Sequence, residues 1–446
     1  MSDLPEDVLR ALRDHDWSSA EDLALRRLRT EEENAPLWAL LAVLSAQKGC
    51  TEEALERNQR ALALDPNEAG AWLNQGNLEK LAGRSEEATN AYERALVLDP
   101  DSADAAFNLG VLSEESSKKD EAVERYRQAL QLSPVHTGAL FNLGRHLAQD
   151  RSPDRAGECE AVELYRRALA ESSLWPDAWR NLGNVLRRLG RDSEAIVAYE
   201  KFLELDSSDP AVPHLLAALR GDSVAKPGSG YVTQLFDQFA ETYEEELSEG
   251  LQYEGADRLA QLVRSHLAVE AEGEGRPLRL LDLGCGTGLF LAAVAQETSL
   301  AVGVDLSPAM LEKARGRELY DRLEVCDITT YLETSAEFFD VVAAADTFVY
   351  IGDLSPVFAG VGERLAPAGI FAFTVESWTD DQGRELNDET FSLQRSGRYR
   401  HAAAHLARLI EQYKFEVLSW VRAPLRRENG ETLVGEYVVL RQQTEG

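Results

Sequence analysis

Cysteine is scarce in this chain and nowhere paired by spacing. Cys50, Cys159, Cys285 and Cys326 are scattered, with no Cys-x-x-Cys among them. That argues against a disulfide framework and against a zinc site, so no metal is expected, and it fits a reducing cytoplasmic setting. Long apolar runs are also missing. No stretch of about 18 apolar residues occurs, so nothing reads as a membrane span. The opening Met1-Ser2-Asp3-Leu4-Pro5-Glu6-Asp7 is acidic and lacks the apolar segment of a signal peptide. Basic charge is in short supply: 46 Lys+Arg face 78 Asp+Glu, for a net charge of −32. The deficit is shared, with 26 basic against 41 acidic residues before position 223 and 20 against 37 from there on. Neither half has the Lys/Arg field that nucleic acid or an anionic membrane requires.

What is present is length, at 446 residues, and a 44% apolar fraction, enough for about three units with sizeable cores. The first 220 residues repeat. Gly76, Gly110 and Gly144 are 34 apart, and Gly183 follows after 39. Ala20, Ala54, Ala88 and Ala122 keep the same step, with Ala161 and Ala195 after the longer one. Tyr92, Tyr126, Tyr165 and Tyr199 stay in register four residues behind the last four alanines, and Pro66, Pro100 and Pro134 close units. Small residues let paired helices approach, aromatics fill the space between hairpins, and Pro ends the second helix. The 39-residue step places an insertion in the polar stretch 149–154. This pattern resembles the tetratricopeptide repeat, in about six units over residues 1–221. The resemblance implies a superhelix with a groove for a protein or peptide partner. In related arrays asparagines on the first helix of each hairpin hold a peptide backbone. Asn74, Asn108, Asn142 and Asn181 take that position here, although Asn is also simply a common residue at it.

Residues 222–230, Asp-Ser-Val-Ala-Lys-Pro-Gly-Ser-Gly, break the period and have linker composition. Beyond them, Phe236, Phe239 and Tyr243 fall on one helical face. From Leu278 strands and helices alternate, with strands expected at 278–283, 300–305, 322–326, 339–345, 369–375, 415–422 and 433–441, and the last helix over 401–413. Alternation predicts a mainly parallel, Rossmann-like α/β sheet. The short connection between the last two strands makes that pair antiparallel, and the total is seven.

The stretch Leu280-Leu281-Asp282-Leu283-Gly284-Cys285-Gly286-Thr287-Gly288 runs a buried strand into a glycine turn and a helix start. Its third glycine comes one residue too early for a dinucleotide fingerprint. Asp-x-Gly-x-Gly-x-Gly instead resembles the first motif of class I S-adenosylmethionine-dependent methyltransferases. Asp305, Asp327 and Asp346 end the next three strands, where open α/β sheets bind ligands. The resemblance covers about residues 231–441, in a domain expected over 231–446, and implies S-adenosylmethionine as cofactor. It implies a cofactor site of Asp282, Gly284, Gly286, Gly288, Asp305 with Leu306, Asp327 with Ile328, and Asp346. The Phe-Asp-x-x-Ala-x-x-Tyr segment ending at Tyr243 resembles the one that covers the cofactor in such enzymes.

No Asn/Asp-Pro-Pro-Tyr follows Asp346, so a nucleobase or glutamine amide is not the indicated acceptor. The basic, aromatic stretch 391–405 stands out in an acidic domain. Arg398 and His401 there, with Tyr350, are the residues expected at the acceptor, His401 as a base; a solvated loop is the alternative for the stretch. The order repeat array, linker, methyltransferase resembles bacterial tetratricopeptide-repeat-containing methyltransferases. The function expected is methyl transfer to a protein, a peptide or a small molecule, with the repeats recruiting substrate or partner. A scaffold that binds cofactor without turnover is the alternative.

Overall fold

The computed structural model describes residues 4–150, 152, 154–222, 224–241, 253–270, 278–294, 298–378, 390–428 and 431–443. The chain divides into two compact units, Met1–Leu205 and Asp206–Gly446. Among the described residues no helix is long and apolar enough to cross a membrane.

The first unit consists of helical hairpins at the expected spacing, such as Ala69–Leu81 with Ser85–Leu98 and Ala103–Glu115 with Lys119–Leu132. Each tyrosine of the periodic set lies against the glycine of its own hairpin. A Cβ on Gly76 would meet the Tyr92 ring at 2.5 Å, and one on Gly183 the Tyr199 ring at 2.6 Å. The far edge of the ring reaches the next hairpin, since Tyr126 shares one apolar cluster with Leu140 and Leu143. Glycine is therefore required here by close approach, not by backbone twist. The extra residues of the 39-residue step lie between the helices Thr137–Leu147 and Ala156–Glu171.

The second unit is built on a sheet of strands β1 (Leu278–Leu283), β2 (Thr298–Asp305), β3 (Arg322–Val325), β4 (Phe339–Ala344), β5 (Leu365–Ser377), β6 (Phe391–Leu393), β7 (Tyr399–His401), β8 (Phe415–Glu428) and β9 (Glu431–Gln442). The order β3-β2-β1-β4-β5 is parallel throughout. β9 runs antiparallel to β5, and β8 antiparallel to β9. Alternate residues of β1 feed opposite faces. Leu281 and Leu283 join the cluster with Phe358 and Leu406, whereas Leu280 joins the one with Leu259 and Leu291. Both faces are thus covered by helices, as parallel strands require.

Two details differ from the sequence expectation. The sheet has nine strands among the described residues, not seven: stretch 391–401 forms the hairpin β6–β7, which joins β5 through Glu376↔Arg400 and Ser377↔His401. His401 accordingly lies on a strand, and the last helix starts later, at Ala403. Three-residue strands around a glycine turn carry no readable alternation. The segment ahead of the sheet also behaves differently. Helix Ala211–Arg220, inside the 1–221 span expected for the repeats, falls in the second unit, where His214 Nε2 bonds the Gly397 carbonyl at 2.9 Å. The stretch with linker composition is docked as well: the Ala225 carbonyl accepts from the Gly352 and Asp353 amides at 2.9 and 3.0 Å.

Candidate active site

The carboxyl ends of the parallel strands surround a cleft. Of the residues expected at a cofactor, Gly284, Gly286, Asp305, Leu306, Asp327, Ile328 and Asp346 line it, and so does Tyr350. The turn after β1 sets its floor. Gly284, Gly286 and Gly288 have φ of +67°, +53° and +86°, which an L side chain adopts only under strain. A Cβ on Gly284 would also collide with Thr347, whose hydroxyl donates to the Leu283 carbonyl at 2.9 Å. Above Gly286 the space is open, with no atom within 4 Å of a Cβ position. The backbone there is bare toward the cleft, as close ligand approach needs.

Asp305 joins that turn to the end of β2. Its carboxylate accepts from the Gly286 amide at 2.9 Å and from the Ser307 amide at 2.9 Å. Burial pushes its pKa up, and these amides hold it back. Each carboxylate oxygen keeps a second lone pair, which suits a ligand diol. Asp327 caps the helix Ile328–Thr334 through the Thr329 and Thr330 amides. Its pKa is lowered: burial acts upward, but bonds from Lys226 and Thr329 outweigh it. The helix Ser229–Phe239 docks on the same rim, with the Ser307 hydroxyl donating to Asp237 at 2.5 Å. Its Phe236 meets the Tyr350 ring edge-on, with centroids 5.2 Å apart.

The other expected residues lie elsewhere. Asp282 is buried beneath the turn, not in the cleft lining, and accepts the Tyr320 hydroxyl at 2.7 Å. Loss of water pushes its pKa up to about 7. Gly288 is likewise off the lining and packs over Tyr320. Asp346 lines the cleft but is neutralised from behind, with Arg426 Nη1 2.6 Å from its Oδ1. Arg426 also pairs with buried Glu376, which Arg398 approaches at 3.6 Å.

His401 does not face the cleft. It is fully buried, and its Nε2 lies 2.9 Å from the Ile351 carbonyl and 3.2 Å from that of Gly352. Two acceptors at Nε2 require the proton to reside there, and desolvation pushes the pKa down to about 4. A general base must reach the acceptor's proton, and His401 reaches main-chain carbonyls instead. Arg398 approaches the Tyr350 phenol and offsets part of the rise in pKa that burial gives it. Tyr243 lies outside the described residues. Lys226, Pro227, Val232 and Thr347 also line the cleft without having been singled out by motif. Thr347 was detectable in principle from its place one residue after the β4 acid.

Residues 275–420 match the family described as Methyltransferase domain. The second unit carries a methyltransferase domain. Residues 73–158, in two overlapping matches, and 176–209 match Tetratricopeptide repeat families. Similarity to curated proteins is confined to part of the chain. The ubiquinone biosynthesis O-methyltransferase of Saccharophagus degradans is 30% identical over 104 residues, covering 22% of this chain and 42% of that protein. The magnesium-protoporphyrin O-methyltransferase of Rhodobacter capsulatus is 29% identical over 136 residues, covering 28% and 58%. The chain thus spans about half the length of the curated relatives it matches. Among solved structures, an S-adenosylmethionine-dependent methyltransferase from Clostridium acetobutylicum aligns at 18% identity and a TM-score of 0.35, over 47% of this chain and all of that one.

In the repeat unit, three of the four periodic asparagines have internal partners. Asn142 donates to the Tyr126 hydroxyl at 3.3 Å, across to the preceding hairpin, and Asn181 bonds Tyr165 in the equivalent way. Asn108 donates to Asn77 at 3.3 Å, which in turn accepts the Tyr92 hydroxyl at 2.8 Å. Asn74 is half-buried. At Asn142 and Asn181, bonding a buried tyrosine hydroxyl gives asparagine a structural reason apart from any ligand.

Proposed function

We propose that the protein is an S-adenosylmethionine-dependent methyltransferase acting on an oxygen of its acceptor, and that the repeats recruit the acceptor or a partner that presents it. The observation that carries this reading is the convergence of Asp305, Asp327 and the bare backbone at Gly286 on one cleft within a methyltransferase domain. The residues suit the cofactor. Asp305 has acceptor capacity for ribose hydroxyls, Leu306 and Ile328 offer apolar surface to a base, and the turn exposes backbone. The bound cofactor supplies an already activated sulfonium methyl. The chain's own task is then to orient and to exclude water, with little need for a strong base. Tyr350, its pKa raised by burial, keeps its proton and orients an acceptor oxygen as a donor. The named O-methyltransferases among the relatives favour oxygen over nitrogen or carbon.

Calorimetric titration of S-adenosylhomocysteine into the full chain tests the reading. Binding is expected, and Asp305→Ala should weaken it by about two orders of magnitude through two lost charge-assisted contacts. A wild-type protein that binds nothing would sink the proposal. For recruitment, kcat/KM on the natural acceptor should fall when residues 1–205 are removed, and an unchanged value would remove the repeats from substrate capture.

A further inference from the structure

Asp327 is held on both sides. Its Oδ1 accepts the Thr329 and Thr330 amides at 3.0 and 3.3 Å, and its Oδ2 accepts Lys226 Nζ at 2.5 Å. Lys226 Nζ also lies 3.3 Å from the Thr329 hydroxyl. This lysine is 101 residues away in sequence and precedes the family match at residue 275. Its neighbours are fixed too. The Ala225 carbonyl takes two amides from the loop after β4, and Pro227 is buried against the cleft. Three consecutive residues therefore bridge the loop after β4 and the end of β3. A Gly/Ser/Pro-rich spacer has no reason to make such contacts.

We propose that residues 225–227 form a strap that is part of the cofactor site, and that Lys226 is a positioning residue that presents Asp327 to the base. The proposal rests on the reading of the cleft as an S-adenosylmethionine site. The reasoning is geometric. With Oδ1 committed to the helix cap, only Oδ2 is left to serve a ligand, and a carboxylate oxygen has two lone pairs. Lys226 takes one of them and fixes the direction of the other. With one lone pair of Oδ2 taken by the ammonium, the other is an acceptor of fixed direction, which favours a ligand amine and disfavours a carbonyl oxygen. The strap thus sets selection for a 6-amino over a 6-oxo purine.

The test uses the full chain with three variants of position 226 and two ligands, S-adenosylhomocysteine and its deaminated 6-oxo counterpart. Lys226→Met is expected to weaken S-adenosylhomocysteine about tenfold, the scale of one charge-assisted hydrogen bond. The preference for the amino over the oxo ligand should shrink in Lys226→Met and return in Lys226→Arg, while Lys226→Glu binds neither ligand measurably. A merely structural lysine would leave the preference between ligands unchanged, and that result overturns the proposal while the cofactor reading stands. Absence of binding by the wild type overturns both. A measurement free of mutation is hydrogen exchange: the Gly352 and Asp353 amides, which hold Ala225, should exchange more slowly with S-adenosylhomocysteine bound. Unchanged exchange at saturation would also overturn the strap.

Discussion

His401 and Asp282 are two buried ionisable groups whose effects on stability oppose each other. His401 has its folded pKa pushed down to about 4, so the native state binds fewer protons than the unfolded chain between about pH 6.5 and 4. Its contribution is present in full above that window and is lost as pH falls through it, by up to about 3 kcal/mol. Asp282 has its folded pKa pushed up to about 7, so its carboxyl stays protonated where the unfolded one has ionised. Its contribution is present in full near pH 4 and is lost as pH rises toward 7, again by a few kcal/mol. Urea denaturation at pH 4.5 and pH 7 separates the two. His401→Gln should shrink the gain in stability on going from 4.5 to 7, and Asp282→Asn should enlarge it. Shifts of the same sign in both variants would contradict the assignment of these environments. His401→Gln carries a second expectation. The glutamine amide can still donate to the Ile351 and Gly352 carbonyls, so kcat should stay within about threefold of wild type, whereas loss of a general base removes about two to four orders of magnitude.

At the scale of elements, the repeats were legible because a period of 34 residues writes the same contact several times. Glycine and tyrosine could be paired by register alone, though the side of the hairpin that the ring occupies could not. The contact distances now rank the substitutions. Gly76→Ala and Gly183→Ala place a methyl 2.5 and 2.6 Å from a tyrosine ring, while Gly144→Ala places it at 3.1 Å. Tyr199 has no room to yield, being fully buried with its hydroxyl donating to Asn184 at 2.7 Å. The first two substitutions should cost about 1–3 kcal/mol each and the third clearly less, measured by chemical denaturation. Equal gains of about 1 kcal/mol at all three sites would mean that helix propensity, not close approach, decides the position. In the α/β half, β1, β2 and β4 were readable from apolar runs with an acid at their ends, because burial on both faces needs such runs. The hairpin β6–β7 was not, since three residues are too few to show alternation and Arg398 and Arg400 mask what strand character remains. Missing it placed His401 at a helix start facing an acceptor, whereas it sits on a strand against the Ile351 and Gly352 carbonyls.

For the whole molecule, the decisive question is where the catalytic unit begins. Composition places the boundary at residues 222–230, and the family match starts only at 275. Packing places it at Asp206. Helix Ala211–Arg220 buries Val212, Leu215 and Leu216, and His214 reaches the Gly397 carbonyl while its ring lies 4.5 Å from that of Tyr231. No sequence period announces this, because the Gly397 partner lies 183 residues downstream and the helix follows directly on repeat helices of similar composition. A fragment starting at 231 discards this helix, the two amide bonds to Ala225 and the Lys226–Asp327 pair. A fragment starting at 206 keeps all three. The prediction is therefore directional: 206–446 should unfold in one transition and bind S-adenosylhomocysteine within about threefold of the full chain, whereas 231–446 should bind at least about tenfold more weakly and melt earlier. Calorimetry on both fragments decides it. If 231–446 matched 206–446 in affinity and melting temperature, the preceding 25 residues would be a tether, and the boundary drawn from composition would be the right one.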